Sequence, residues 1–144
     1  MDLFTPESAL HALADAYRNH DMDSAARCRN FELEAKLILN HLERRGDAGF
    51  ASADAVAQFA GVLEAKWRQA GPPQVAGVTS KVISTDHYAE CFFVTSHELR
   101  SAEGRISSER LYMAQSDGRW AVLCYAPVQE APTQAKKPWW AVWQ

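Results

Sequence analysis

The chain has 144 residues, which suits one domain, and a domain of that size buries roughly 68–70% of its unfolded surface. Hydrophobic residues make up 47%, which excludes a disordered chain. The formal charge is −3, from 15 basic and 18 acidic residues, and no basic patch dominates, so nucleic acid is not expected as a partner.

Helical signals fill the first half. Thr5-Pro6-Glu7 opens a helix with a capping hydroxyl, a proline suited to the first helical position and an acid at the positive dipole end. Leu10, Leu13, Ala14 and Tyr17 follow at helical spacing, and the helix is predicted to end near His20. Asp21 caps a short helix carrying Ala25, Ala26 and Cys28, and Asn30 caps another or the two run on as one bent helix. An apolar stripe of Phe31, Ala35, Ile38 and Leu42, with Leu39 beside it, leads to a stop at Arg44-Arg45-Gly46. Ser52 then caps a helix whose buried face is Val56, Phe59, Ala60, Leu63 and Trp67, ended by Gly71-Pro72-Pro73.

After Pro73 the period changes to alternation. Strands are predicted over Val75–Ser84, His87–Leu99, Ile106–Gln115 and Arg119–Pro127, with turns at Ala102-Glu103-Gly104 and at Asp117-Gly118. On the fourth strand Trp120, Val122 and Cys124 should face one way and Ala121, Leu123 and Tyr125 the other. Both sets are apolar, which predicts a central strand or a sheet face that meets a partner. The fold class is therefore α+β, with N-terminal helices packed against a curved antiparallel sheet of four or more strands. Residues 1–128 form the domain, and 129–144 are a Pro-, Lys- and Trp-containing tail, lid or added strand.

Three cysteines, Cys28, Cys91 and Cys124, with no CxxC pair fit neither a disulfide framework nor a zinc site and read as small apolar residues. The start, MDLFTPESAL, lacks the basic and apolar regions of a signal peptide, and no apolar run approaches the roughly 20 residues that span a bilayer. A cytoplasmic protein without a membrane partner is the expectation.

The helix-then-meander layout resembles the nuclear-transport-factor-2-like superfamily, a cone in which a bent sheet wraps a helix layer. The turn Asn19-His20-Asp21-Met22-Asp23 after the first helix and the segment Ser116-Asp117-Gly118-Arg119-Trp120-Ala121-Val122 carry that likeness. Pro6-Glu7-Ser8-Ala9-Leu10 and the run from Cys28 to Leu37 are similar to the immunity-protein branch of the superfamily. That resemblance implies a non-catalytic protein that occludes a cognate bacterial toxin acting in the cytoplasm, and dimerisation through the sheet face. The superfamily also contains isomerase-, dehydratase- and hydrolase-type enzymes and ligand-binding proteins, which use a pocket in the cone.

Each of these functions has its own candidate residues. A pocket would draw on Tyr17, Trp67, His87, His97, Arg110 and Tyr112, with Glu90 and Glu98 as the strand carboxylates to weigh for acid–base work. A partner surface would draw on the tail tryptophans Trp139, Trp140 and Trp143, since tryptophan buries a large rigid area at interfaces. It would also draw on an acidic patch from Glu90, Glu98, Glu103 and Glu109. A metal set of His87, Glu90 and His97 is disfavoured because an offset of three does not share a strand face. No metal, cofactor or catalytic residue is expected under the immunity reading. There is no GxSxG serine and no glycine-rich phosphate loop.

Overall fold

A computed structural model describes residues 2–42 and 50–126. The stop at Arg44-Arg45-Gly46 and the tail with Trp139, Trp140 and Trp143 lie outside these residues. Helix α1 spans Pro6–Arg18. Its Thr5 cap accepts from the Ser8 amide while the Ser8 side chain accepts from the Thr5 amide, a reciprocal capping box. Asp21 caps α2 (Met22–Arg27) and Asn30 caps α3 (Phe31–Leu37), so the two helices are separate. A π-helical turn, Ile38–Leu42, extends α3. Helix α4 (Ala53–Ala70) starts at Ser52 and ends where Gly71 takes φ +76°. Of its predicted buried face only Val56 is fully buried, and Phe59, Ala60, Leu63 and Trp67 are half-covered, because α4 packs chiefly on α3 and not on the sheet.

The second half is one antiparallel meander in the order β1-β2-β3-β4: Thr79–Ala89, Phe92–Arg100, Ile106–Ser116 and Arg119–Tyr125. The first two strands begin later than their composition predicts. Val75 to Val78 form a turn closed by the Val78 amide on the Val75 carbonyl, at Gly77 with φ +74°. The β1–β2 hairpin turns at Glu90, a non-glycine residue at φ +51°, so it carries no glycine or proline signal, and His87 and Tyr88 belong to β1.

Strand β4 is an edge strand of the described sheet, not a central one. Its outer edge is nevertheless covered: the Trp120 amide donates to the Leu3 carbonyl at 2.7 Å and the Val122 amide to the Cys28 carbonyl at 2.8 Å. This covering satisfies the backbone of the edge strand, and its two apolar faces are each buried in a core cluster. The opposite edge is closed by side chains of α1. Arg18 donates to the Val78 carbonyl (2.8 Å), His11 to the Ser80 carbonyl (3.2 Å), and Glu7 accepts from the Val82 amide (3.3 Å).

Helices cover both faces. Leu10, Leu13, Ala16, Ala25 and Cys28 pack with Leu111, Met113, Trp120 and Val122 on one face. Leu37 packs with Phe92, Val94, Tyr112, Ala114 and Leu123, which alternation puts on the other. A bulge in the β3–β4 ladder between Leu111 and Met113 resets the alternation of β4. Tyr125 pairs with Leu111, on the Val122 face, and does not follow Ala121 and Leu123 as strict alternation predicts.

Candidate functional site

The first face is packed at one end of the strands and open at the other. Between α1, the segment after α4 and the β2–β4 strands lies a cleft of about 820 Å³. Leu13, Ala14, Val78, Leu99, Leu111 and Val122 give it an apolar wall. That size and character suit a small organic molecule.

An aromatic wall comes from helices distant in sequence. Trp67 Nε1 donates to the Tyr17 hydroxyl at 3.0 Å, and the Trp67 ring packs on Phe31 with centroids 5.3 Å apart. Arg29 lies over both the Phe31 and Trp67 rings, at 5.2 and 5.8 Å, and its Nη2 meets Glu34 Oε1 at 2.6 Å. Glu34 is buried, so this pair fixes the guanidinium as part of the wall. Beside it burial pushes the Cys124 thiol up to about 12, so this cysteine is an inert thiol and not a nucleophile.

The polar focus is His97. Its residue is 5% exposed, it lines the cleft, and neither ring nitrogen has a hydrogen-bond partner among the described residues. Buried polar atoms are normally paired, so a histidine with two free nitrogens at a cavity wall is an unusual investment. Glu109, directly opposite on β3, brings Oε2 to 3.7 Å of Nε2, beyond hydrogen-bond range. Burial lowers the imidazole pKa below its ordinary value and Glu109 opposes this, so the ring is neutral at pH 7. Tyr125, 70% exposed, stands at the mouth.

Of the six pocket residues expected from sequence, Tyr17, Trp67 and His97 line the cleft together. The other three do not. Arg110 and Tyr112 take the opposite face of β3, and Tyr112 is buried under α3 with Phe92 and Leu123. His87 lies at the far end of β1, where Nε2 donates to the Glu90 carbonyl at 2.8 Å and its ring packs on Phe93.

The acidic residues do not form one patch. Glu90 is in the β1–β2 turn, Glu103 lies beyond the opposite end of β2, and Glu98 faces away from Glu109. Glu109, expected on a partner surface, belongs to the cleft, and neither Arg29 nor Tyr125 is among the site residues expected from sequence. Strand parity with His97 could have found Glu109, but only the bulge brings in Tyr125. Among the described residues no group of three or more His, Cys, Asp or Glu side chains is arranged to hold a metal ion.

No family model matches the chain, and no curated protein matches it. Among solved structures it is similar to an NTF2-like protein of unknown function from Shewanella oneidensis MR-1, at 12% identity and a TM-score of 0.44. That alignment covers 82% of this chain and 91% of the other. No helix among the described residues is long and apolar enough to cross a membrane.

Proposed function

We propose that the chain binds a small, mainly apolar molecule in the cleft, with its polar group hydrogen-bonded by His97. The unpaired, nearly fully buried imidazole carries this reading. A ligand that supplies a partner to either nitrogen recovers the cost of having desolvated it, about 1–3 kcal/mol for a buried polar group. The catalytic form of the same reading is an isomerase-, dehydratase- or hydrolase-type reaction. A neutral imidazole is a Brønsted base near neutral pH, and His97 would take that role. In both forms the apolar walls supply affinity and His97 supplies orientation.

The toxin-neutralising role implied by the family resemblance would place function on the outer surface. Of its candidate acids, Glu90 lies in the β1–β2 turn, and Glu98 and Glu109 point to opposite faces of the sheet. The cleft therefore has the stronger support.

Isothermal titration with 1-naphthylmethanol, a neutral bicyclic alcohol of suitable size, tests the proposal. The full chain is expected to bind it, and Ala14→Phe, which fills the cleft from α1, is expected to abolish binding without lowering the melting temperature. Equal binding by the two proteins, or none by either, would sink the reading.

A further inference from the structure

The charges around the cleft are unevenly matched. Arg18 is held by Asp15 at 2.7 Å and by the Val78 carbonyl, and Arg29 by Glu34 at 2.6 Å. Both arginines that the described residues bring to the wall are thus already paired with a carboxylate of the protein. Glu109 is the exception on the acidic side. Its side chain is 41% exposed, it lines the cleft, and no lysine or arginine lies within ion-pair distance of it among the described residues. Its carboxylate also faces the His97 ring, at 3.7 Å too distant for a hydrogen bond, and the phenol of Tyr125. Among the described residues the pair therefore leaves one uncompensated negative charge facing an apolar cavity with an aromatic wall of Tyr17 and Trp67.

We propose that the ligand of this cleft is an amphipathic cation: an apolar body carrying a protonated amine, with the ammonium against Glu109 and a neighbouring polar atom against His97. This rests on the cleft being a ligand site and goes on to name the class of ligand. An ammonium supplies what Glu109 lacks, a charge-assisted donor, while its carbon skeleton takes the Leu99, Leu111 and Tyr17 surfaces. An anion of the same shape would meet Glu109 as a like charge in a partly desolvated site. The neutral state of His97 matters here, because a protonated ring would cancel the acid and repel the ammonium.

The test is a matched series on one ring: 1-naphthylmethylamine, 1-naphthylmethanol and 1-naphthoate, titrated into the full chain at pH 7.5 and low salt. The amine is expected to bind about tenfold more tightly than the alcohol, the order expected for a hydrogen bond to a charged group that is partly exposed, and the carboxylate most weakly. Glu109→Gln should remove the amine's advantage over the alcohol. Added salt should weaken the amine alone. The order amine, alcohol, carboxylate in the unmodified chain needs no variant, so a misfolded Glu109→Gln would leave the test intact. Alcohol binding equal to or tighter than amine binding overturns the ligand class and leaves the cleft standing. Failure of all three to bind overturns the cleft reading and the ligand class with it. Amine binding that survives Glu109→Gln overturns the assignment of the charge to Glu109.

Discussion

The face of the sheet beneath α1 has two ends that behave differently, although the same strands build both. At one end the Phe93 and Trp120 rings meet at a tilt with centroids 4.8 Å apart, and Met113 beside Phe93 is fully buried in the cluster that holds Leu10 and Leu13. Four residues further along β2 and β3 the same side presents His97 and Glu109 to an open cleft. Alternation is unbroken across β2 and β3, so the register does not change between the ends; only the side chains do. The difference shows how a single face divides its labour. One end holds the helices on the sheet, and the other leaves polar atoms unpaired where a ligand can reach them.

The largest expected effect comes from the wall that separates the cleft from the α3 side. Glu34→Ala leaves the Arg29 guanidinium without its buried partner and should cost about 3–5 kcal/mol, read as a lowered urea midpoint at constant slope. Replacing both residues by apolar ones of similar volume, Arg29→Met with Glu34→Leu, should cost much less, because no charge is then left stranded. A double variant as damaged as the single would mean that the pair's geometry, not its charge balance, holds the wall.

A middle-sized effect separates the two ends directly. Met113→Ala should lose about 2–5 kcal/mol, because its site is enclosed and cannot collapse. Leu99→Ala, on the half-covered cleft wall, should lose under about 1 kcal/mol. Equal losses in the two variants would erase the distinction between a packed end and an open one.

The helices were legible in the sequence because each carries its own local punctuation. Thr5, Asp21 and Ser52 cap in the structure as their side chains predict, and Asn30, for which a continuous bent helix was the alternative, caps as well. The hairpin at Asp117-Gly118 was equally plain, with both residues at positive φ. The turn at Glu90 was not, since a non-glycine left-handed residue leaves no compositional mark, and two strand boundaries moved with it. The site was half legible for a related reason. Tyr17, Trp67 and His97 were expected from residue type, but Arg29 reaches the cleft only because the α2–α3 linker pairs with β4. Tyr125 reaches it only through a bulge that period-2 reading cannot see.

The smallest expected effect concerns His97 itself and gives the cleft end a stability signature independent of any ligand. His97→Leu removes two unpaired buried nitrogens and should raise stability at pH 7.5 by about 1 kcal/mol while weakening binding of the naphthyl probes. The sign of its pH dependence follows from the lowered pKa. Below the ordinary histidine value the unfolded chain takes up a proton that the folded ring refuses, so acid favours unfolding. The contribution of His97 is therefore fully present above about pH 6.5, the ordinary value, and declines as the pH falls toward the lower folded value. Urea midpoints of the unmodified chain and of His97→Leu, measured from pH 8 to 5, should then diverge below about pH 6.5, with the variant losing less. Glu109 works against this decline by favouring the protonated ring, so Glu109→Gln should steepen it. Curves for the unmodified chain and His97→Leu that run parallel through this range would show that the imidazole takes its proton as readily in the fold as in water. The open end would then be no more desolvating than the surface.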